Sequence, residues 1–101
     1  MPEVFFRVRW PDGKVEQCYS PSTVVRDYFT PGAEYPLADF VERSRTVLHI
    51  ASERVRAKYG FACTAAAGQL AEIEAAAARY TAMPDATVTV EALLAADGSE
   101  P

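Results

Sequence analysis

The longest regular pattern in the chain covers residues 37–60, LADFVERSRTVLHIASERVRAKYG. Apolar residues recur there at spacings of three, four and seven, as on one face of an amphipathic helix. The glycine at position 60 suits the left-handed residue that commonly ends a helix. We therefore predict a helix over 37–59 whose buried stripe consists of Leu37, Phe40, Val41, Val47, Leu48, Ala51, Val55 and Tyr59.

A β-hairpin is predicted before this helix. Residues 4–10 and 14–19 are rich in β-branched and aromatic types, and the string WPDG at 10–13 is a turn signal. On the first strand apolar residues alternate with Arg7 and Arg9, so we expect the arginines to face water or a partner. The residues expected to face the core are Phe6, Val8 and Trp10.

Three further elements complete the predicted fold. Residues 20–22, Ser-Pro-Ser, should cap a short helix that ends near Tyr28. The alanine-rich run 64–82 predicts a second long helix, which Met83 and the following Pro-Asp should break. The alternating run 86–91 predicts a third strand that pairs with the hairpin. The expected fold class is α+β: a small antiparallel sheet packed by two long antiparallel helices and one short helix.

Composition and length limit the domain count and the classes of function. We expect one domain over residues 1–94 and a flexible polar tail over 95–101. A net charge of −4 argues against broad nucleic-acid binding through phosphate neutralisation. No secretory leader and no run of about 18 apolar residues is visible, so no membrane role is expected. Cys18 and Cys63 should then be reduced thiols, and the expected location is the cytoplasm.

A second stripe on the long helix is polar and contains the only histidine of the chain. His49 lies one helical turn from both Arg45 and Glu53, so Glu53 could orient the imidazole and favour its charged form, whereas Arg45 would oppose that charge. Such a group could bind an anion or move a proton. The alternative is a solvated helix face with weak charge pairs. This polar stripe consists of Glu42, Arg45, Thr46, His49, Glu53 and Arg56.

Other groups suggest weaker hypotheses. Arg43, Arg54 and Lys58 make the other side of the helix locally basic, which would suit an anionic ligand, an acidic partner or, less well, nucleic acid. Aromatic residues of the first third of the chain form either a binding surface or part of the core. They are Trp10, Tyr19, Tyr28, Phe29 and Tyr35.

Metal and covalent chemistry have little support in the sequence. His49 and Glu53 have the spacing of two helical metal ligands, but no third ligand stands in a recognised pattern, so no metal site is predicted. Cys63 would be a reactive thiol if it lay at the N-terminus of the second helix, and otherwise a small buried apolar residue. Gly-rich phosphate loops, nucleophile elbows and paired carboxylates are absent, so we predict no cofactor and no catalytic residue.

Several strings resemble those of a small bacterial family of nitrogen-starvation-response proteins. They lie at residues 6–13, 18–22, 35–45 and 49–63, and the resemblance extends over roughly residues 1–92. The resemblance implies a setting in bacterial gene clusters with a nitrilase-like enzyme, a radical S-adenosylmethionine enzyme, an acetyltransferase-like protein and a flavin oxidoreductase. The family has no established activity, so the resemblance assigns no catalytic residue to this chain.

The sequence thus favours a non-catalytic accessory protein that binds a partner enzyme of such a cluster or its intermediate, a small anionic or nitrogenous compound. Its contact residues would be Glu42, Arg45, His49, Glu53 and Arg56. The alternative is a small cofactor-free enzyme or carrier in which His49 is the acid-base group, Glu53 orients it, and Arg45 or Arg56 holds an anion. A nucleic-acid-binding regulator is the weaker alternative. A homodimer, paired through a sheet edge or through helices, stays open.

Overall fold

Four strands and three helices build the described part of the chain, which in this computed structural model is residues 3–61, 63–83 and 85–95. Two strands come first, the two long helices are consecutive, and a strand comes last. The elements are β1 (Val4–Arg9), β2 (Val15–Ser20), α1 (Val25–Tyr28), β3 (Ala33–Pro36), α2 (Leu37–Tyr59), α3 (Thr64–Ala78) and β4 (Thr87–Ala95).

The strands form one antiparallel sheet in the order β2-β1-β4-β3. In the hairpin, Val4 pairs with Ser20 and Arg9 with Val15, as the turn signal predicts. β4 pairs with the other side of β1, and β3 pairs with β4. The α+β class and the pairing of the C-terminal strand with the hairpin are therefore confirmed. The prediction of three strands was wrong by one, and the C-terminal strand lies inside the sheet rather than at its edge.

The unpredicted strand is β3, which is short and carries a weak signal. Tyr35 is its one buried residue, and Pro36 ends it. Proline is tolerated in a strand that lies at a sheet edge, because no neighbour needs its missing N–H. β4 is also longer than predicted and includes Ala95, the first residue of the expected tail. The rest of that tail, 96–101, lies outside the described residues.

The short helix begins later than predicted. β2 continues to Ser20, and the Oγ of that residue donates a hydrogen bond to the carbonyl of Ser22 at 2.8 Å. The Oγ of Ser22 in turn accepts the N–H of Val24 at 3.3 Å. The two serines thus build a turn after the strand instead of a helix cap, and α1 starts only at Val25 without a side-chain cap.

Both long helices form. α2 has the predicted bounds, and Gly60 ends it with φ of 83° while its N–H donates to the carbonyl of Arg56. α3 ends at Ala78, one turn earlier than predicted. After that end the chain turns Tyr80 into the core, where its ring stacks on that of Trp10 with 5.7 Å between centroids. The proline expected to break this helix lies outside the described residues.

The helices cover one face of the sheet. Phe6, Val8 and Trp10 are at most 2% exposed, which confirms the predicted inward face. On the opposite face the exposed Arg7 and Arg9 both pair with Glu91, at 3.3 and 2.7 Å. Of the five aromatic residues considered as a binding surface, Trp10, Phe29 and Tyr35 are buried and belong to the core; Tyr19 and Tyr28 are partly exposed.

One residue of the predicted buried stripe is misplaced. Tyr59 is 51% exposed, because the last two turns of α2 are exposed on nearly all sides. From Glu53 to Phe61 every residue is exposed except the half-buried Val55. Among the described residues, none of the helices is both long enough and apolar enough to cross a membrane.

Candidate functional site

The polar stripe lies on the side of α2 that faces away from the core. The residues of α2 that are fully buried are Phe40, Ser44, Val47, Leu48 and Ala51. The stripe positions 42, 45, 49, 53 and 56 are exposed, and Thr46 is half-buried. The helix therefore has the buried apolar face and the exposed polar face that the sequence predicts.

Arg45 is the organised residue of the stripe. Its Nε donates to Glu74 of α3 at 2.9 Å, and its Nη1 lies 3.3 Å from a carboxylate oxygen of Glu42. The hydrogen bond to Glu74, reinforced by Glu42, raises the pKa of Arg45. Since Arg45 and Glu42 are largely solvent-exposed, this three-residue group contributes little to stability and serves mainly to fix the side chains in place.

The structure does not bring the remaining stripe residues into this group. His49, Glu53 and Arg56 make no side-chain hydrogen bond or ion pair with any described residue. In particular, no contact orients His49 through Glu53. The hypothesis of an acid-base site at His49 therefore rests on helical spacing alone.

A groove lies beside the stripe, between the first half of α2 and the end of α3. Its volume is about 700 Å³, and it is open to solvent. Two of the stripe residues, Glu42 and Arg45, lie on its wall together with Glu74. Most of the remaining lining is apolar: Pro36, Leu37, Ala38, Val41, Ala77, Ala78, Met83 and Ala86, with Tyr80, Thr81 and Asp85 completing it.

In this groove, residues of the polar stripe line a concave surface. His49 lines neither this groove nor a smaller cleft of about 260 Å³ between β2 and α3. That cleft holds Glu16 and Arg79, whose charged groups are 4.0 Å apart. An enzyme that used His49 as its acid-base group would need a pocket over this residue, and these two concavities do not provide one.

The basic side of α2 has a structural role. Arg43 donates to Asp39 at 3.0 Å and to the carbonyl of Tyr28 at 2.8 Å. Arg54 donates to the Oγ of Ser22 at 3.1 Å. Two of the three cations that a nucleic-acid ligand would require are thus engaged with the protein itself, and only Lys58 of the three extends toward solvent without a hydrogen bond to the described residues.

The two cysteines lie in different environments. Cys18 is buried in the core, and this burial, with a smaller effect of Glu16, raises the pKa of its thiol to about 12. Cys63 is half-buried and occupies the N-cap position of α3, as the reactive-thiol hypothesis requires. Within the described residues no three His, Cys, Asp or Glu side chains gather in a way that could hold a metal ion.

Sequence reasoning missed the α3 half of the site. Glu74 pairs with Arg45 across 29 residues of chain, and Met83 lines the groove with 44% of its surface exposed. A signal for Glu74 was available, since only two acidic residues interrupt the alanines of α3. The sequence does not give the register of the two helices, however, so it could not show whether Glu72 or Glu74 would face Arg45.

Comparison with known proteins supplies the family. A family model described as nitrogen starvation-induced protein NitG matches residues 5–93. The chain belongs to this family. The match covers every strand and helix except the first residue of β1 and the last two of β4. Neither the curated proteins nor the solved structures gave a match.

Proposed function

We propose that this chain is a non-catalytic accessory protein of the nitrogen-starvation response, which binds a partner enzyme or its small-molecule intermediate. The observation that carries this proposal is the groove between α2 and α3, where stripe residues border an apolar surface. Ligand sites are commonly apolar clefts with a few polar groups that fix orientation. The groove has this composition, and its volume suits a small molecule or a few side chains of a protein.

The chemistry of the lining favours binding over catalysis. It contains neither histidine nor cysteine, and its one guanidinium is already held by two carboxylates. Glu42, Glu74 and Asp85 outnumber Arg45, which leaves an excess of negative charge at the rim. Of the two ligand types expected from the sequence, the nitrogenous one is therefore better supported, in the form of a positively charged nitrogen attached to an apolar body.

The setting of this role is also part of the proposal. The family resemblance implies gene clusters with a nitrilase-like enzyme, and nitrile metabolism releases or consumes small nitrogen compounds of the size the groove would hold. We propose that the partner is such a cluster enzyme and that the complex forms in the cytoplasm, where Cys18 and Cys63 would remain reduced.

The test compares two alanine-to-arginine variants of α3. Ala78 lines the groove and Ala75 does not, although both are exposed on the same helix. Tagged wild type and both variants are used to capture partners from nitrogen-limited cells, and the identified enzyme is then purified and titrated against each protein by calorimetry. We expect the enzyme to bind wild type and Ala75→Arg but to lose affinity for Ala78→Arg. Equal binding by both variants would refute the groove as the binding site.

A further inference from the structure

The charges of the polar stripe are arranged antisymmetrically about His49. Glu42 and Arg56 each lie seven residues from it, and Arg45 and Glu53 each lie four residues from it. At each distance one side carries a carboxylate and the other a guanidinium. We propose that two copies of this chain associate through this stripe, with antiparallel α2 helices related by a two-fold axis at His49.

This arrangement pairs opposite charges at four places. A two-fold interface brings residue i of one copy to residue j of the other and j to i. With the axis at His49, Glu42 of each copy faces Arg56 of the other, and Arg45 faces Glu53. A parallel arrangement would instead set each charge against its own copy, which is repulsive. The stripe is therefore complementary to itself in one direction only.

The free charges of the stripe support the pairing. Glu53 and Arg56 have no ion-pair partner among the described residues. Arg45 is already fixed by Glu74 and Glu42, so its guanidinium is presented at a defined position on the surface. A second copy would supply Glu53 and Arg56 with partners without breaking any contact that the single chain makes.

Exposed ion pairs contribute little free energy to association by themselves. Apolar surface beside the stripe would add the free energy of hydrophobic burial. On α3, Ala67 and Ala71 are exposed on the side of the helix that carries Glu74, and neither lines the groove. Small residues there permit close approach of a second helix. Phe61, which is 65% exposed, follows the end of α2 and adds apolar surface at that end.

The available area suits a weak, reversible dimer. A 23-residue helix is about 34 Å long, a 15-residue helix is about 22 Å long, and each is about 10 Å wide, so the outer face of α2 and α3 measures roughly 560 Å². Stable interfaces bury about 800 Å² on each partner, and transient ones bury less. The inference goes beyond the proposed function, because the dimer forms in the absence of any ligand and can be tested without one.

The first test exchanges one charge pair. Arg56→Glu, Glu42→Arg and the double variant are compared with wild type by sedimentation equilibrium at low salt. Both positions are exposed, so the fold should persist. Each single reversal affects two symmetry-related pairs, and we expect it to raise the dimer dissociation constant about tenfold. The double variant should restore it, and Arg26→Glu, an equal charge change on exposed α1 surface, should have no effect.

The second test locates the axis. In a Cys63→Ser background, His49→Cys should form a disulfide-linked dimer on mild oxidation, since a residue on a two-fold axis faces its own copy. Arg56→Cys should not, because the two thiols would lie about 21 Å apart along the helices, and a disulfide requires Cα atoms within about 7 Å.

The proposal is overturned if wild type remains monomeric at 0.1 mM protein (about 1 g/L), or if the double charge exchange fails to restore association. It is also overturned if Arg56→Cys crosslinks as readily as His49→Cys. Dimers that respond to the charge exchange and crosslink at position 49 alone would support it. None of these outcomes depends on whether the groove binds an enzyme or a small molecule.

Discussion

Arg43 of α2 donates a hydrogen bond to the backbone carbonyl of Tyr28 at the end of α1, with 2.8 Å between the two atoms. The same guanidinium donates to Asp39 and lies 4.9 Å from the centre of the Tyr35 ring. One side chain thus joins the long helix, the short helix and the edge strand β3. Two of these elements, α1 and β3, are those for which the structure departs from the sequence prediction.

Replacing Arg43 by alanine should lower the free energy of unfolding by about 1–3 kcal/mol, because it leaves the partly buried carbonyl of Tyr28 without its donor. Urea denaturation followed by circular dichroism measures the change. Arg26→Ala serves as the matched control, since this exposed arginine of α1 makes no side-chain hydrogen bond or ion pair with the described residues, and should change stability by less than about 0.5 kcal/mol. Similar losses in both variants would contradict a joining role for Arg43.

The two thiols should differ in reactivity. In the folded protein at pH 8, Cys63 should react with a thiol reagent first, because it is half-buried at a helix N-terminus, while Cys18 is shielded in the core and its pKa is raised. Reaction with Ellman's reagent should show one fast thiol and one that reacts only on unfolding. Cys63→Ser should remove the fast phase. A fast phase that survives this substitution would show that Cys18 is accessible.

Stability should decline at alkaline pH because of Cys18. Its folded pKa of about 12 lies above that of an unfolded cysteine, near 8.5–9, so between these values the unfolded chain releases a proton that the folded chain retains. The free energy of unfolding should therefore fall by up to about 1.4 kcal/mol per pH unit above pH 9, and this contribution is fully present below that pH.

Cys18→Ala isolates the effect of the thiol. Burial also raises the pKa values of Tyr19 and Tyr80, so some alkaline decline should remain in the variant. Urea denaturation at pH 8, 9 and 10 should give a steeper loss for wild type than for Cys18→Ala. Parallel curves would mean that the thiol does not contribute to the decline.

The groove should discriminate between charges. Hexylammonium and hexanoate share an apolar tail and differ in the sign of the head group, and the excess of carboxylates at the groove favours the cation. We expect hexylammonium to bind about tenfold more tightly, with NMR shifts at Val41 and Met83. Ala78→Arg should abolish these shifts, whereas Ala75→Arg should preserve them. Tighter binding of hexanoate would reverse our assignment of ligand charge.

Much of the fold was predictable because its signals are local. The apolar pattern of α2 extends over 23 residues, about six helical turns, and Gly60 adopts the positive φ that its position suggests. β3 was not predictable in this way, since its four residues are stabilised by pairing with a strand more than 50 residues later, such as Ala33 with Val90. β3 also lies at the edge of the sheet and has one buried residue, so its sequence does not show a clear alternation of apolar and polar residues.

The candidate site was predictable only on one helix. Helical spacing correctly placed Glu42, Arg45 and His49 on a common outer face. It could not show that Arg45 would turn to Glu74, because that contact depends on how α3 lies against α2. The groove was likewise not predictable from the sequence, since it depends on the early end of α3 and on the turn that follows Ala78.

The central position of β4 has a consequence for synthesis. β1 and β3 both emerge from the ribosome long before β4, yet neither contacts the other in the sheet except through it. Until residues 87–95 are translated, the hairpin has an open edge at β1 and the strand β3 has no neighbour. The nascent chain therefore completes its sheet only after Ala95 has been translated, and a ribosome stalled before Thr87 would hold a chain with β1 open to aggregation.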